Sequence, residues 1–120
     1  MAEEKKTVKA EKVEEKKASF PKPTAKDFTV IDSPIITEKS MALMQNENKV
    51  TIKVAGSANK TEIKYAFEHI FQVKVVDVKT INVRSKTTTR GGRYKGTISG
   101  YKKAIVTVAE GSACPLRSMP

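Results

Sequence analysis

Seven cations, four glycines and two tyrosines fall within the stretch RSKTTTRGGRYKGTISGYKK, and no carboxylate interrupts them. The cations are Arg84, Lys86, Arg90, Arg93, Lys95, Lys102 and Lys103, and the rings are Tyr94 and Tyr101. Arginine and lysine neutralise phosphates, glycine lets backbone N–H groups approach a phosphate, and a tyrosine ring offers a platform for an unpaired base. Together these residue types point to contact with RNA. A solvated loop that serves only solubility is the competing explanation. Solubility alone, however, does not require that residues 78–109 hold 8 basic groups and no acidic one.

Other chemistries find little material. The single histidine, His69, and the single cysteine, Cys114, belong to unrelated segments, so no nucleophile, base and orienting acid can be assembled, and no internal disulfide or zinc-ligand set either. His69 reads as a partly exposed surface histidine. Gly91-Gly92 lacks the strand-to-helix setting and spacing of a nucleotide-binding fingerprint. Glu38 and Lys39, taken by composition alone, are the first turn of a helix, with the acid favoured by the helix dipole. No cofactor or metal is expected. Apolar runs are only a few residues long and the charged start carries no leader-like apolar stretch, which predicts a cytosolic protein without membrane insertion.

The elements that must position the basic stretch follow from periodicity and charge. Net charge is +10, yet residues 27–77 hold 6 basic and 7 acidic groups, so a nearly neutral body carries one cationic segment. Residues 1–26, Lys- and Glu-rich and ending in Pro-Lys-Pro, predict a disordered extension, with a marginal solvated helix as the alternative. One domain over residues 27–111 follows, then an irregular tail over residues 112–120. FTVID reads as a short strand, and Thr37 as the cap of a short helix containing Met41, Leu43 and Met44. KVTIKVA alternates Val50, Ile52 and Val54 with polar residues, the pattern of a half-buried strand. In NKTEIKYAFEHIFQ, Asn59 and Glu62 form a capping-box pair, and Ile63, Ala66, Phe67, Ile70 and Phe71 make one apolar stripe. The apolar parity of VKVVDVKTINV switches after Val78, which predicts a β-bulge near Lys79 and Thr80. KKAIVTV is the return strand, and the roughly 17 residues before it predict a long loop rather than a tight hairpin. An RNA-recognition motif of the RRM type is disfavoured, because its last two strands need a helix between them and an aromatic-rich string.

The strings SPIITEKS, KVTIKVAGSANKTEIKYAFEHIFQVKVVDVKTINV and GYKKAIVTVAEG, from about Ser33 to Gly111, resemble the bacterial large-subunit ribosomal protein L-twenty-three family. The resemblance implies an α+β sandwich: a four-stranded, mostly antiparallel sheet with two helices and a long basic loop between the last two main strands. It also implies a structural constituent of the large ribosomal subunit, cytoplasmic and ribosome-bound, that binds large-subunit ribosomal RNA at the rim of the polypeptide exit tunnel beside neighbouring ribosomal proteins, its loop reaching toward the tunnel and the nascent polypeptide. RNA-facing residues carried over are Lys39, Lys60 and Lys64, together with Arg84, Lys86, Arg90, Arg93, Lys95, Tyr101, Lys102 and Lys103. Glu38 matches the acid at which the chaperone trigger factor docks, and signal recognition particle is implied as a second partner of that surface.

Overall fold

The computed structural model describes residues 20–110. The expected irregular tail over residues 112–120, and the expected N-terminal extension as far as residue 19, lie outside the described residues. Residues 20–24 run without regular structure into the first helix, α1 (Ala25–Val30). Then follow β1 (Ile31–Pro34), α2 (Glu38–Glu47), β2 (Lys49–Val54), α3 (Lys60–Phe71), β3 (Val75–Val83), β4 (Lys86–Arg90), β5 (Tyr94–Ile98) and β6 (Tyr101–Val108).

The main sheet is four-stranded, ordered β1-β2-β6-β3, and every neighbouring pair is antiparallel. This is the expected α+β architecture, with three helices among the described residues where two were expected. The third comes from a correction at FTVID: Phe28, Thr29 and Val30 are helical, and only Ile31 and Asp32 of that string belong to the strand. The β-propensity of Thr and Val is overridden locally by a cap. Asp27, three residues after Thr24, accepts from the Thr24 backbone N–H at 2.8 Å and from the Thr24 hydroxyl at 2.9 Å, and the acid lies near the positive end of the helix.

The other two helices start where the residue types say they should. Thr37 Oγ1 accepts from the Ser40 backbone N–H at 3.3 Å, and α2 stops at Asn48, which adopts the left-handed conformation (φ 50°). The Asn59 N–H donates to Glu62 Oε2 at 2.9 Å at the head of α3. From that helix Ile63, Ala66 and Phe67 are fully buried, with Phe71 packed 4.5 Å from the Phe67 ring centre to centre. They cover the sheet face made by Val50, Ile52 and Val54 of β2, Ala104, Val106 and Val108 of β6, and Val75 and Val78 of β3. Burial of a side chain the size of Phe67 stabilises by roughly 1.5 to 3 kcal/mol, so α3 is the principal anchor of the core.

The bulge in β3 is real but displaced from the expected place. The register breaks between Val75 and Asp77, leaving Val76 exposed, and pairing with β6 is then regular from Asp77 to Val83. Its cause is a side chain: Glu68 Oε1 of α3 accepts the Val75 N–H at 3.1 Å and holds the strand's first residue at the helix end. With the extra residue so early, Val78 faces the core, whereas Ile81 falls on the opposite, solvent-facing side.

Candidate nucleic-acid interface

The largest departure from the sequence expectation is the basic stretch itself, which is not a long loop. Strands β4 and β5 pair in register from Lys86 opposite Ile98 to Arg90 opposite Tyr94, forming a separate two-stranded ribbon. The three-residue turn Gly91-Gly92-Arg93 closes it, with Gly91 (φ 63°) and Gly92 (φ 71°) in the left-handed region that glycine enters without strain. Thr87, Thr88 and Thr89 of β4 and Tyr94, Thr97 and Ile98 of β5 suit this pairing, and nothing apolar is buried by it, since every residue of β4 and β5 is exposed. Five residues at about 3.3 Å each carry the tip roughly 17 Å from the base.

Alternation across the ribbon sorts its side chains. Lys86, Thr88 and Arg90 share one face with Tyr94, Gly96 and Ile98, while Lys95 lies on the other with Thr87, Thr89 and Thr97. Arg93 sits in the turn and Arg84 at the junction with β3. Tyr94 is 73% exposed, so its ring is open to a partner. At the base, backbones approach so closely that a Cβ on Gly100 would lie 2.5 Å from the Val83 carbonyl oxygen and 3.0 Å from the Ser85 nitrogen. Gly100 therefore permits the crossing through which the ribbon leaves the sheet.

The remaining candidates divide among three places. Lys102 is engaged internally: its Nζ donates to the Ala58 carbonyl at 2.9 Å and to the Gly56 carbonyl at 3.3 Å, closing the β2–α3 loop against β6. Lys60 and Lys64 follow that loop in the first turns of α3, so they lie near the end of the sheet from which the ribbon emerges. Lys39 and Glu38 are both exposed in the first turn of α2, the helix that packs on β2, and the structure does not bring them to the ribbon. Glu38 forms no ion pair within 4.0 Å among the described residues.

Tyr101 and Lys103 lie not on the ribbon but on the open face of the main sheet. Two residues unmarked by the sequence stand beside them there, Lys53 and Lys79. Lys53 is directly across from Lys103, and its Nζ is 5.9 Å from the Tyr101 ring centre. Period-two alternation could have shown that these lysines share a face; the order of the strands could not be read from it. His69 is also more committed than a surface residue, because its Nδ1 lies 3.0 Å from Asp27 Oδ2 and so joins α3 to α1. Among the described residues no three His, Cys, Asp or Glu side chains are grouped to hold a metal.

A small antiparallel sheet, covered by helices on one face and prolonged into an exposed cationic ribbon, defines an α+β protein that presents charge on an arm. A family profile described as Ribosomal protein L23 matches residues 29–116. Relatives named large ribosomal subunit protein uL23 include that of Phytoplasma australiense, 52% identical over 86 residues (72% of this chain, 89% of the relative). That of Heliobacterium modesticaldum is 52% identical over 84 residues (70% and 86%), and that of Geobacter sulfurreducens 45% identical over 86 (72% and 90%). The chain belongs to the ribosomal protein L23 family. It is accordingly a structural protein of the ribosome and not an enzyme.

Proposed function

We propose that this large-subunit protein binds ribosomal RNA through the β4–β5 ribbon at the rim of the polypeptide exit tunnel, with the ribbon tip reaching toward the tunnel and the nascent chain. One observation carries the proposal: a ribbon whose every side chain is exposed and whose only charges are positive. Such a ribbon buries no core, so its sequence is spent on what it touches, and phosphate is the partner that this charge selects. Lys60 and Lys64, near the ribbon's root, extend the contact. Lys102 contributes less, since its ammonium already serves two carbonyls.

The family membership accords with a ribosome-bound, cytoplasmic protein; no helix among the described residues is long and apolar enough to cross a membrane. The exposed Glu38, unpaired among the described residues and set apart from the cationic ribbon, suits docking of a basic partner; trigger factor and signal recognition particle are the partners proposed. Reversing it, Glu38→Lys, is expected to slow trigger factor association with ribosomes while leaving the protein's incorporation unchanged.

Binding of the full chain to large-subunit RNA across a salt series tests the main proposal. With about six cations on phosphates, affinity falls on the order of a thousandfold between 50 and 200 mM salt. Replacing Lys86, Arg90 and Arg93 by Gln is expected to flatten that dependence by about 2.7 in the logarithmic slope. A wild-type slope near zero would remove phosphate contact from the account.

A further inference from the structure

The face of the main sheet opposite the helices carries a second, different surface. Antiparallel pairing places Val83 opposite Tyr101, then Ile81, Lys103 and Lys53 in one row, then Lys79, Ile105 and Thr51 in the next. Their neighbours along each strand, such as Val106 and Ala104, are the buried core, so this set points away from it; the face is open at Tyr101, Ile81 and Lys79 and closed at Thr51, which is itself buried. No helix of the described residues covers Ile81 or Tyr101, which are 44% and 38% exposed.

The charges on this face are not balanced. Lys53 pairs with Asp32 at 3.1 Å. Asp77, at the far end, turns its Oδ1 to the Val78 N–H at 2.8 Å. Lys79 and Lys103 have no carboxylate within 4.0 Å among the described residues. What remains is a ring at one end of the face, three aliphatic side chains, Val83, Ile81 and Ile105, and the unpaired ammonium groups of Lys103 and Lys79 in the next two rows. A flat aromatic platform with cations in successive rows beside it matches a strand whose base is unpaired and whose adjoining phosphates run across those rows. A duplex offers the platform nothing, because its bases are already stacked.

We infer that the open sheet face binds unpaired RNA, one base stacking on Tyr101 beside Ile81 while Lys103 and then Lys79 hold the phosphates that adjoin it on one side, as a site distinct from the phosphate-tracking ribbon. This rests on the RNA-binding proposal and adds the kind of RNA and the residues that select it. Lys53 is placed to exchange its contact with the ring for a phosphate, because its ammonium already lies over that ring.

The test uses the full chain with two probes, a short oligouridine and an RNA duplex of equal length, each titrated over the same salt series. Tyr101→Ala is expected to weaken oligouridine binding about tenfold, the worth of one stacked base, and to leave duplex binding unchanged. Tyr101→Phe, which keeps the ring, retains the affinity, and a thermal melt of each variant separates lost stacking from lost folding. Lys79→Gln with Lys103→Gln lowers the single-strand salt slope by about 1.4, two phosphates' worth. Should these variants bind oligouridine as the wild type does while the ribbon triple variant fails to bind, the inference is overturned and the ribbon proposal stands. Absence of wild-type binding to both probes would overturn both. Unchanged RNA affinity with loss of a neighbouring protein from reconstituted subunits would assign the face to protein and likewise overturn the inference.

Discussion

Asp27 is the one buried carboxylate among the described residues, and its environment explains how a charge is tolerated there. The Thr24 backbone N–H holds its carboxyl below the ordinary range; the Thr24 hydroxyl and the His69 ring act in the same direction, and burial opposes them. A depressed folded-state value means the carboxylate stabilises the fold at any pH above about 3.9, its usual unfolded value, and that this contribution is lost as pH falls through the lower folded value. Thermal melts are thus expected to show an acid-side loss of stability that is smaller in Asp27→Asn. Asp27→Ala, which unpartners Thr24 and His69 together, is expected to cost about 1 to 3 kcal/mol by denaturant unfolding. Only the local half of this pairing has a sequence signature: the string Thr24-Ala25-Lys26-Asp27 is a capping pattern, masked by the strand propensity of FTVID downstream. The contact with His69, 42 residues away, has none.

At the scale of elements, periodicity was informative wherever an element buries a face. The stripe of α3 and the alternation of β2 and β6 each have a hydrophobic side that the structure finds buried. For Phe67, at the centre of that packing, truncation to Ala is expected to cost about 3 to 5 kcal/mol, read as a fall in melting temperature. The ribbon was missed for the complementary reason. Lys86–Arg90 and Tyr94–Ile98 bury nothing, so no alternation of apolar and polar residues marks them; the only signal was Gly91-Gly92 after the threonine run 87–89. The bulge was misplaced by three residues or so because apolar parity cannot report Glu68 capturing the Val75 N–H. Gly100 makes the ribbon's exit a sharp test. In Gly100→Ala the new methyl meets the backbone of residues 83–85, and the crossing segments must part. The expected cost is about 1 to 3 kcal/mol, with faster amide exchange confined to Val83, Ser85 and the ribbon base.

For the whole molecule, the division between a nearly neutral body and a cationic arm was readable from the charge distribution, and the family from the matched strings. How the arm is held was not. Pairing within the ribbon fixes which cations act together, so Lys86 and Arg90 address one side and Lys95 the other. The same chain order that sends the arm outward leaves Tyr101 and Lys103 behind on the sheet, beside Lys53 and Lys79 from strands distant in sequence. A single run of basic residues thus serves three purposes in the fold: arm, sheet face and, through Lys102, an internal clasp on the β2–α3 loop.

The most direct measurement is crosslinking of this chain to RNA inside intact large subunits, with the joined nucleotides and amino acids both mapped. The account predicts crosslinks concentrated between Arg84 and Lys95 and falling on large-subunit RNA. Subunits that contain the protein yet yield no nucleotide joined to that ribbon, while other ribosomal proteins crosslink normally, would contradict it.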